Sequence, residues 1–215
     1  MGKYGRGQSH VHLAWRWVSE RGLRVATGDA TLAYYASLIA MALPDVEDII
    51  AGDDSLLVIL RQGARVPPEL RSALTEPLAD RVRRPNGKRH EIEVEYGGVA
   101  GPDLPALAKR AGLSVAAYVD LHAATAYTVA FLGFQPGFPY LRGLPPALQT
   151  SRRASPRQRV APGSVAIGGC YTGIYPAGGP GGWHIIGRTG AALFDPQRDV
   201  PALLMPGDQV RFVPA

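Results

Sequence analysis

The chain has 215 residues, 46% hydrophobic and 19% charged, with a formal net charge of +5; its mean hydropathy is −0.02 and its pI about 9.6. These values describe a globular chain long enough for one large domain or two small ones, and exclude a disordered or fibrous one. The single cysteine, Cys170, excludes an internal disulfide framework and a cysteine-based zinc cage, and no run approaches the ~18 apolar residues of a spanning helix.

Residues Met1 to His12 lack the apolar core of a signal peptide, so a cytoplasmic location without membrane association is expected. The positive charge comes from 20 Arg against 3 Lys, gathered mainly at Arg81 to Arg89 and Arg152 to Arg159. No recognition helix, charged groove with stacking aromatics or zinc module accompanies them. Nucleic acid is therefore not expected, and the clusters read as a solvated face or as a site for a small anion or acidic partner.

In chain order, Met1 to His12 is polar and aperiodic, a tail expected to fray. A strand is expected around Gly22 to Thr27. Asp29 then offers an N-cap for a helix whose apolar face reads Leu32, Tyr35, Ala36, Ile39 and Leu43, ending at Pro44. Val46 to Ala51 and Ser55 to Leu60 read as a hairpin around Gly52-Asp-Asp54, and Pro67-Pro68 opens a helix running to about Val82. In Glu91 to Tyr96 the apolar Ile92, Val94 and Tyr96 alternate with three glutamates, the pattern of a strand with one wet face. The order β-α-β-β-α-β over residues 20 to 96 is that of a ferredoxin-like unit. Two short helices follow, Asp103 to Ala111, stopped by Gly112, and Ser114 to about Ala124, capped by Ser114.

Glycine and proline make up 19 of the first 132 residues but 26 of the last 83. Beyond Tyr127 to Leu132 the chain breaks into short apolar runs, Ser164 to Ile167, Trp183 to Ile186, Ala191 to Phe194 and Gln209 to Val213, as in a small barrel or sandwich.

Phe131 to Leu141 packs four aromatics, two glycines and two prolines into eleven residues. It reads as a pocket rim or as an aromatic corner of the core. Gly168 to Trp183 holds seven glycines in sixteen residues. Its amides can converge on an anion, or its glycines can serve tight barrel turns. His122, on a helix face just before the aromatic loop, is a candidate general base or a hydrogen-bonded core residue. His10-Val-His12 can ligate a metal only if the tail is ordered. Ser164 lacks the Gly-x-Ser-x-Gly elbow of a serine hydrolase. Arg157, Arg159 and Arg188 are candidate anion clamps or surface charges.

From about Glu91 to Phe212 the chain resembles the family that contains the 5-oxoprolinase B subunits, the subunit 1 chains of allophanate hydrolase and a sporulation histidine-kinase inhibitor, built from carboxyltransferase C and D subdomains. The resemblance is carried by Tyr96-Gly-Gly98, Gly101-Pro-Asp-Leu104, Leu121-His-Ala-Ala-Thr-Ala-Tyr127, Phe131-Leu-Gly-Phe134, Pro136-Gly-Phe-Pro-Tyr-Leu141, Ser155-Pro-Arg157, Gly163-Ser-Val-Ala-Ile-Gly168, Thr172-Gly-Ile-Tyr-Pro176, Pro180-Gly-Gly-Trp183, Ile186-Gly-Arg-Thr189 and Pro206-Gly-Asp208. The chain departs from the family pattern at Gln135, Ser151-Arg152, Val160 to Gly163 and Cys170-Tyr171, which bears on the shape of the pocket.

The resemblance implies a small α+β N-terminal domain followed by a cyclophilin-like β-barrel, and residues 20–90 match it only in their element order. With that order the chain is expected to be α+β, with a tail at residues 1–12, a ferredoxin-like domain over residues 13–97 and the barrel over residues 98–215. Prolyl isomerase activity does not follow from such a barrel. It further implies one component of a heteromeric ATP-dependent enzyme that opens 5-oxo-L-proline to L-glutamate. The alternatives are a carboxyltransferase component of allophanate hydrolase or urea carboxylase, and an inhibitor of a sensor histidine kinase. Expected partners are the enzyme's carboxyltransferase-like C component and its lactam-handling A component. ATP with magnesium, shared with a partner chain, is the expected cofactor, with no biotin and no resident metal on this chain. His122, Arg157 and Arg188 are the expected catalytic residues, with His184 as a second histidine that orients acceptor or water. Substrate or nucleotide is expected to meet Phe134, Gly137, Tyr140, Thr172, Tyr175, Gly181, Gly182 and Trp183.

Overall fold

The computed structural model describes residues 13–75 and 87–215. The chain divides into two compact units, Met1–Pro85 and Asn86–Ala215. The tail with His10 and His12, and the end of the second expected helix toward Val82, lie outside the described residues.

In the first unit, strands β1 (Trp15–Trp17), β2 (Gly22–Ala26), β3 (Val46–Ala51) and β4 (Ser55–Leu60) form one antiparallel sheet in the order β1-β2-β4-β3. The hairpin around Gly52 forms as expected, with Ala51 opposite Leu56. Helix α1 (Thr31–Met41) differs from its expectation at both its start and its face. It is entered through a 3-10 turn, Gly28–Ala30, and no side chain caps it. Instead the Thr31 hydroxyl donates to the Gly28 carbonyl at 2.7 Å. The buried positions are Thr31, Tyr34 and Leu38, while Ile39 is half exposed. The apolar stripe over 32–43 is nearly continuous, so periodicity does not single out one face. The second helix, α2, is Pro68–Thr75.

The strand expected to complete this unit belongs to the other one. Strand β5 (Arg89–Tyr96) pairs in parallel with β13 (Gln209–Pro214) and antiparallel with β12 (His184–Arg188). The edge beside β2 is taken by β1 instead. The boundary therefore falls at Pro85 and Asn86, not after residue 97.

The second unit is a closed seven-stranded barrel in the order β10-β7-β6-β13-β5-β12-β9, with β6 Tyr127–Leu132, β7 Pro139–Arg142, β9 Ser164–Gly168 and β10 Tyr171–Ile174. A separate ribbon pairs β8 (Arg157–Val160) with β11 (Gly179–Gly181). Helix α3 (Leu104–Arg110) follows β5, and α4 (Val115–Ala124) starts at Ser114, whose hydroxyl accepts the Ala117 N–H at 3.1 Å as expected. The run Ala191 to Phe194, expected as a strand, forms only a single bridge between Phe194 and Ala202.

Side chains alternate across a strand, and the barrel wall uses both faces. Val165, Ile167, Ile174, Leu141 and Ile186 join Ile92, Val94, Tyr127, Val210 and Phe212 in the main core, to which α3 and α4 add Leu104, Leu107 and Tyr118. Their sequence neighbours Ala166, Tyr175 and Ile185 point the other way, into a second cluster with Phe138, Val160 and Trp183. Strand β9 is accordingly buried at all five positions. Because Val160 of β8 belongs to that second cluster, the β8–β11 ribbon packs on the outside of the barrel wall there.

Candidate functional site

The second cluster opens to a cavity of about 170 Å³, lined by Phe134, Phe138, Tyr140, Arg152, Arg153, Pro156, Tyr175, Gly181, Gly182 and Trp183. The fold thus brings together the aromatic loop after β6 and the end of the glycine-rich stretch, two segments singled out separately in the sequence. The rings meet edge to face. Phe138 lies 5.1 Å from Tyr175 at 83° and 5.3 Å from Trp183 at 89°, and Tyr140 lies 5.4 Å from Trp183 at 81°. Such pairs contribute about 0.5–1.5 kcal/mol each beyond their burial, so the walls are rigid. The rim is different in kind. Phe134 is 60% exposed and adopts φ +67, a conformation bulky side chains rarely take.

Three glycines of residues 168–183 make room for these rings. A Cβ on Gly168 would stand 2.7 Å from the Trp183 indole, one on Gly173 would stand 3.1 Å from the Phe138 ring, and one on Gly181 would collide with the Tyr175 phenol. The Tyr175 hydroxyl makes a backbone hydrogen bond with Trp183, and burial raises its pKa despite that bond and the nearby charges of Arg152 and Arg157. An amide cradle for an anion needs a residue in the left-handed region between right-handed ones. Gly178, Gly179, Gly181 and Gly182 all lie outside that region. Instead of converging N–H groups, Gly179 and Gly181 pair with β8 through a register shift between them.

Positive charge at the cavity is arranged by Asp103, at the N-terminus of α3. Its Oδ1 accepts from Arg157 Nη2 at 2.8 Å and from Arg153 Nη1 at 3.4 Å, and its Oδ2 accepts the Ile185 N–H at 2.7 Å. Burial raises the carboxyl pKa, but the hydrogen bonds from Arg157 and Ile185 and the charges of Arg157 and Arg153 outweigh it, and the net shift is downward. Arg157 stands behind the cavity as the partner of Asp103, with Nη1 buried and without a hydrogen-bond partner among the described residues. Arg152 lies over the Trp183 ring face, 5.8 Å from its centroid. Sequence reasoning named neither Asp103 nor Arg152 and Arg153 as site residues. Asp103 was visible as a helix start and as part of Gly101-Pro-Asp-Leu104, and the two arginines as members of a basic cluster, with Ser151-Arg152 a departure from the family pattern.

Other expected residues lie elsewhere. His122 is fully buried, with Nδ1 2.7 Å from the Tyr96 hydroxyl and Nε2 3.1 Å from the Thr172 hydroxyl. Thr172 donates its own proton to the Ala166 carbonyl at 3.0 Å. It must then accept from His122 Nε2–H, and Nδ1 accepts from Tyr96. The ring also stacks on Phe212 at 4.7 Å, and burial pushes its pKa down to about 3. This neutral imidazole has both nitrogens occupied, so the structure corrects the expected base to a hydrogen-bonded core residue, and Thr172 with it. Gly137, at φ +78, backs onto Leu193 and Phe194 and lines an adjoining apolar groove with Phe134, Val200 and Met205. Arg188 is exposed on β12 and lines an open groove with Glu91, Glu93 and Glu95, an acidic setting unsuited to clamping an anion. His184 donates from Nε2 to the Ser151 carbonyl at 3.0 Å, and burial lowers its pKa. Among the described residues no group of three or more His, Cys, Asp or Glu side chains is placed to hold a metal ion, and no helix is long and apolar enough to cross a membrane.

The family model for the carboxyltransferase domain, subdomains C and D, matches residues 9–204. The B subunit of 5-oxoprolinase from Escherichia coli O157:H7 is 49% identical over 181 residues, covering 80% of this chain and 79% of that protein. Among solved structures, TTHA0988 superposes with a TM-score of 0.77 at 36% identity, covering 91% of this chain; this chain spans only 40% of its length. The Kluyveromyces lactis urea amidolyase shares the fold at 21% identity and a TM-score of 0.68, over 94% of this chain and 15% of that one. A mixed α/β chain with this closed barrel, matched over most of its length by these relatives, belongs to the carboxyltransferase subdomain C and D family that includes the 5-oxoprolinase B subunits.

Proposed function

We propose that this chain is the B component of a heteromeric, ATP-dependent 5-oxoprolinase that opens 5-oxo-L-proline to L-glutamate together with a carboxyltransferase-like C component and a lactam-handling A component. The observation that carries this reading is the 49% identity to the Escherichia coli O157:H7 protein over 79% of its length. The cavity supports it, because it joins flat apolar walls to guanidinium groups, a chemistry suited to a small ring bearing an acid.

The reaction explains why several components are needed. A five-membered lactam is a resonance-stabilised amide. Transfer of the terminal phosphoryl group of ATP to the lactam oxygen makes the ring carbon electrophilic. Water then adds to that carbon and the C–N bond breaks with the nitrogen taking a proton, which leaves an acyl phosphate; a second water cleaves that phosphate, giving glutamate, ADP and phosphate. The catalyst must hold both reactants in one geometry and stabilise charge on the transferring group. In this chain the rings of the cavity exclude water and orient a flat ligand, while Arg152 and Arg153 offer charge-assisted hydrogen bonds at its edge.

The test is to purify the chain with its candidate partners and measure ATP-dependent glutamate release from 5-oxo-L-proline. The assembled proteins release glutamate and this chain alone releases none. Release by the chain alone overturns the shared-site reading. Bicarbonate-dependent carboxylation with a biotinylated partner, or a block of sensor-kinase autophosphorylation, overturns the oxoprolinase reading itself.

A further inference from the structure

We infer that the aromatic cavity on the outer barrel wall takes a single flat ring carrying one carboxylate, the lactam acid itself, and that the nucleotide is held outside it. This rests on the oxoprolinase reading and goes further by assigning this chain's pocket to one of the two reactants. The cavity is small. Pockets that enclose drug-sized ligands run to ~300–1,000 Å³, and a nucleoside triphosphate is at least that large. A cavity of about 170 Å³ accommodates one small ring with its substituent.

Its charge also suits a single carboxylate. A triphosphate requires several uncompensated cations or a metal ion. Here Arg153 and Arg157 share the Asp103 carboxylate, so their charge is already partly neutralised. Arg152, over the Trp183 face at the mouth, is placed to meet one incoming carboxylate. The same guanidinium groups repel a ligand cation, which sets an acid apart from an amino acid whose ammonium group lies beside its carboxylate.

The shape of the cavity agrees. Phe138, Tyr140, Tyr175 and Trp183 stand edge to face, an apolar array of fixed shape that suits a small ring. The exposed Phe134 ring, 5.6 Å from Phe138 and 6.1 Å from Tyr175, stands at the rim. The chain thereby seats the lactam for phosphoryl transfer, a partner brings the phosphoryl donor, and the lactam-handling A component meets a ring already held here.

The experiment has two arms. The assembled enzyme is assayed for KM toward 5-oxo-L-proline and toward ATP, in wild type, Arg152→Ala and Phe134→Ala. Both substituted side chains are exposed, and thermal melting checks that each variant is folded. The expected result is a KM for 5-oxo-L-proline raised on the order of ten- to a hundred-fold by Arg152→Ala, the loss of a charge-assisted hydrogen bond, with the KM for ATP unchanged. A raised KM for ATP, or no change in either, overturns the inference while leaving the proposed function standing.

The second arm titrates the full chain alone by calorimetry with 5-oxo-L-proline, 2-pyrrolidone, L-proline and ATP. Heat from 5-oxo-L-proline that Arg152→Ala removes, together with weaker heats from the other three, supports the assignment. No heat from 5-oxo-L-proline, or heat from ATP that Arg152→Ala removes, overturns it. Should the assembly release no glutamate at all, the proposed function fails, and this second arm decides the pocket by itself.

Discussion

Asp103 and Ile185 bind each other twice: the Asp103 N–H donates to the Ile185 carbonyl at 3.0 Å, and the Ile185 N–H donates to the Asp103 carboxylate at 2.7 Å. The start of α3 is thus fastened to β12, two residues beyond Trp183. The free side of the same carboxylate holds Arg157 and Arg153. One acidic residue therefore couples the backbone that carries the Trp183 wall to the guanidinium groups beside it.

Asp103→Ala should destabilise the protein by about 1–3 kcal/mol, the cost of leaving buried donors without a partner. Asp103→Asn, which keeps an acceptor for Ile185 but no charge, should lose less. The pH dependence follows from the lowered carboxyl pKa. The stabilisation is fully present above the ordinary carboxylate range of ~4 and is lost as pH falls through the lower folded-state value. Thermal melting between neutral and strongly acidic pH checks this, and the acid-dependent part of the loss should shrink in Asp103→Asn.

His122 gives a second pH signature of the same direction and a different window. Its folded-state pKa is pushed down to about 3, whereas an unfolded imidazole titrates near ~6.5. Between these values the unfolded chain binds the proton and the folded one does not, so stability is complete above the upper value and falls as pH drops toward the lower. His122→Ala should lower stability at neutral pH by about 1–3 kcal/mol, since it removes the hydrogen-bond partner of the half-buried Tyr96 hydroxyl and the donor to the buried Thr172 hydroxyl. Denaturant unfolding measures both effects. Unchanged stability with lost turnover of the assembled enzyme would show that His122 acts on reactants instead.

Two glycine substitutions in one stretch should behave oppositely. Gly168→Ala forces a methyl group to within 2.7 Å of the Trp183 ring and should cost about 1–3 kcal/mol through overpacking. A changed near-ultraviolet tryptophan signal should accompany it. At Gly182 the added methyl would meet Pro156 at 3.8 Å, an ordinary contact. Gly182→Ala should therefore melt within a few degrees of wild type, and any effect it has belongs to ligand entry.

Phe134 holds a left-handed backbone with a bulky side chain. Asparagine tolerates that region better than alanine, so Phe134→Asn should be more stable than Phe134→Ala by roughly 1 kcal/mol, the lower end of what such strain costs. Equal stability of the two variants in denaturant titration would show that the conformation is not strained.

Much of the local structure was legible because it depends on neighbours in sequence. The Gly52 hairpin, the Ser114 cap, the stop at Gly112 and the strand with Ile92 and Val94 turned inward are each set by residues within a few positions of one another. The family was legible for the same reason, since its motifs are short and ordered along the chain. What sequence could not determine is which surfaces meet. The period of Glu91 to Tyr96 marks a half-wet strand but carries no information about its partner, and pairing with β13, more than a hundred residues away, moves it from one unit to the other. A glycine-rich run is equally compatible with an anion cradle and with a floor for rings. Only the approach of Trp183 to Gly168 and of Phe138 to Gly173 decides between them. Arg157 and Arg188 look alike as sequence, and their surroundings separate them: one faces the Asp103 carboxylate beside the cavity, the other a row of glutamates. Burial and long-range pairing are properties of the folded chain as a whole, and for that reason the tertiary structure alone determined which of the sequence's candidate residues share a site.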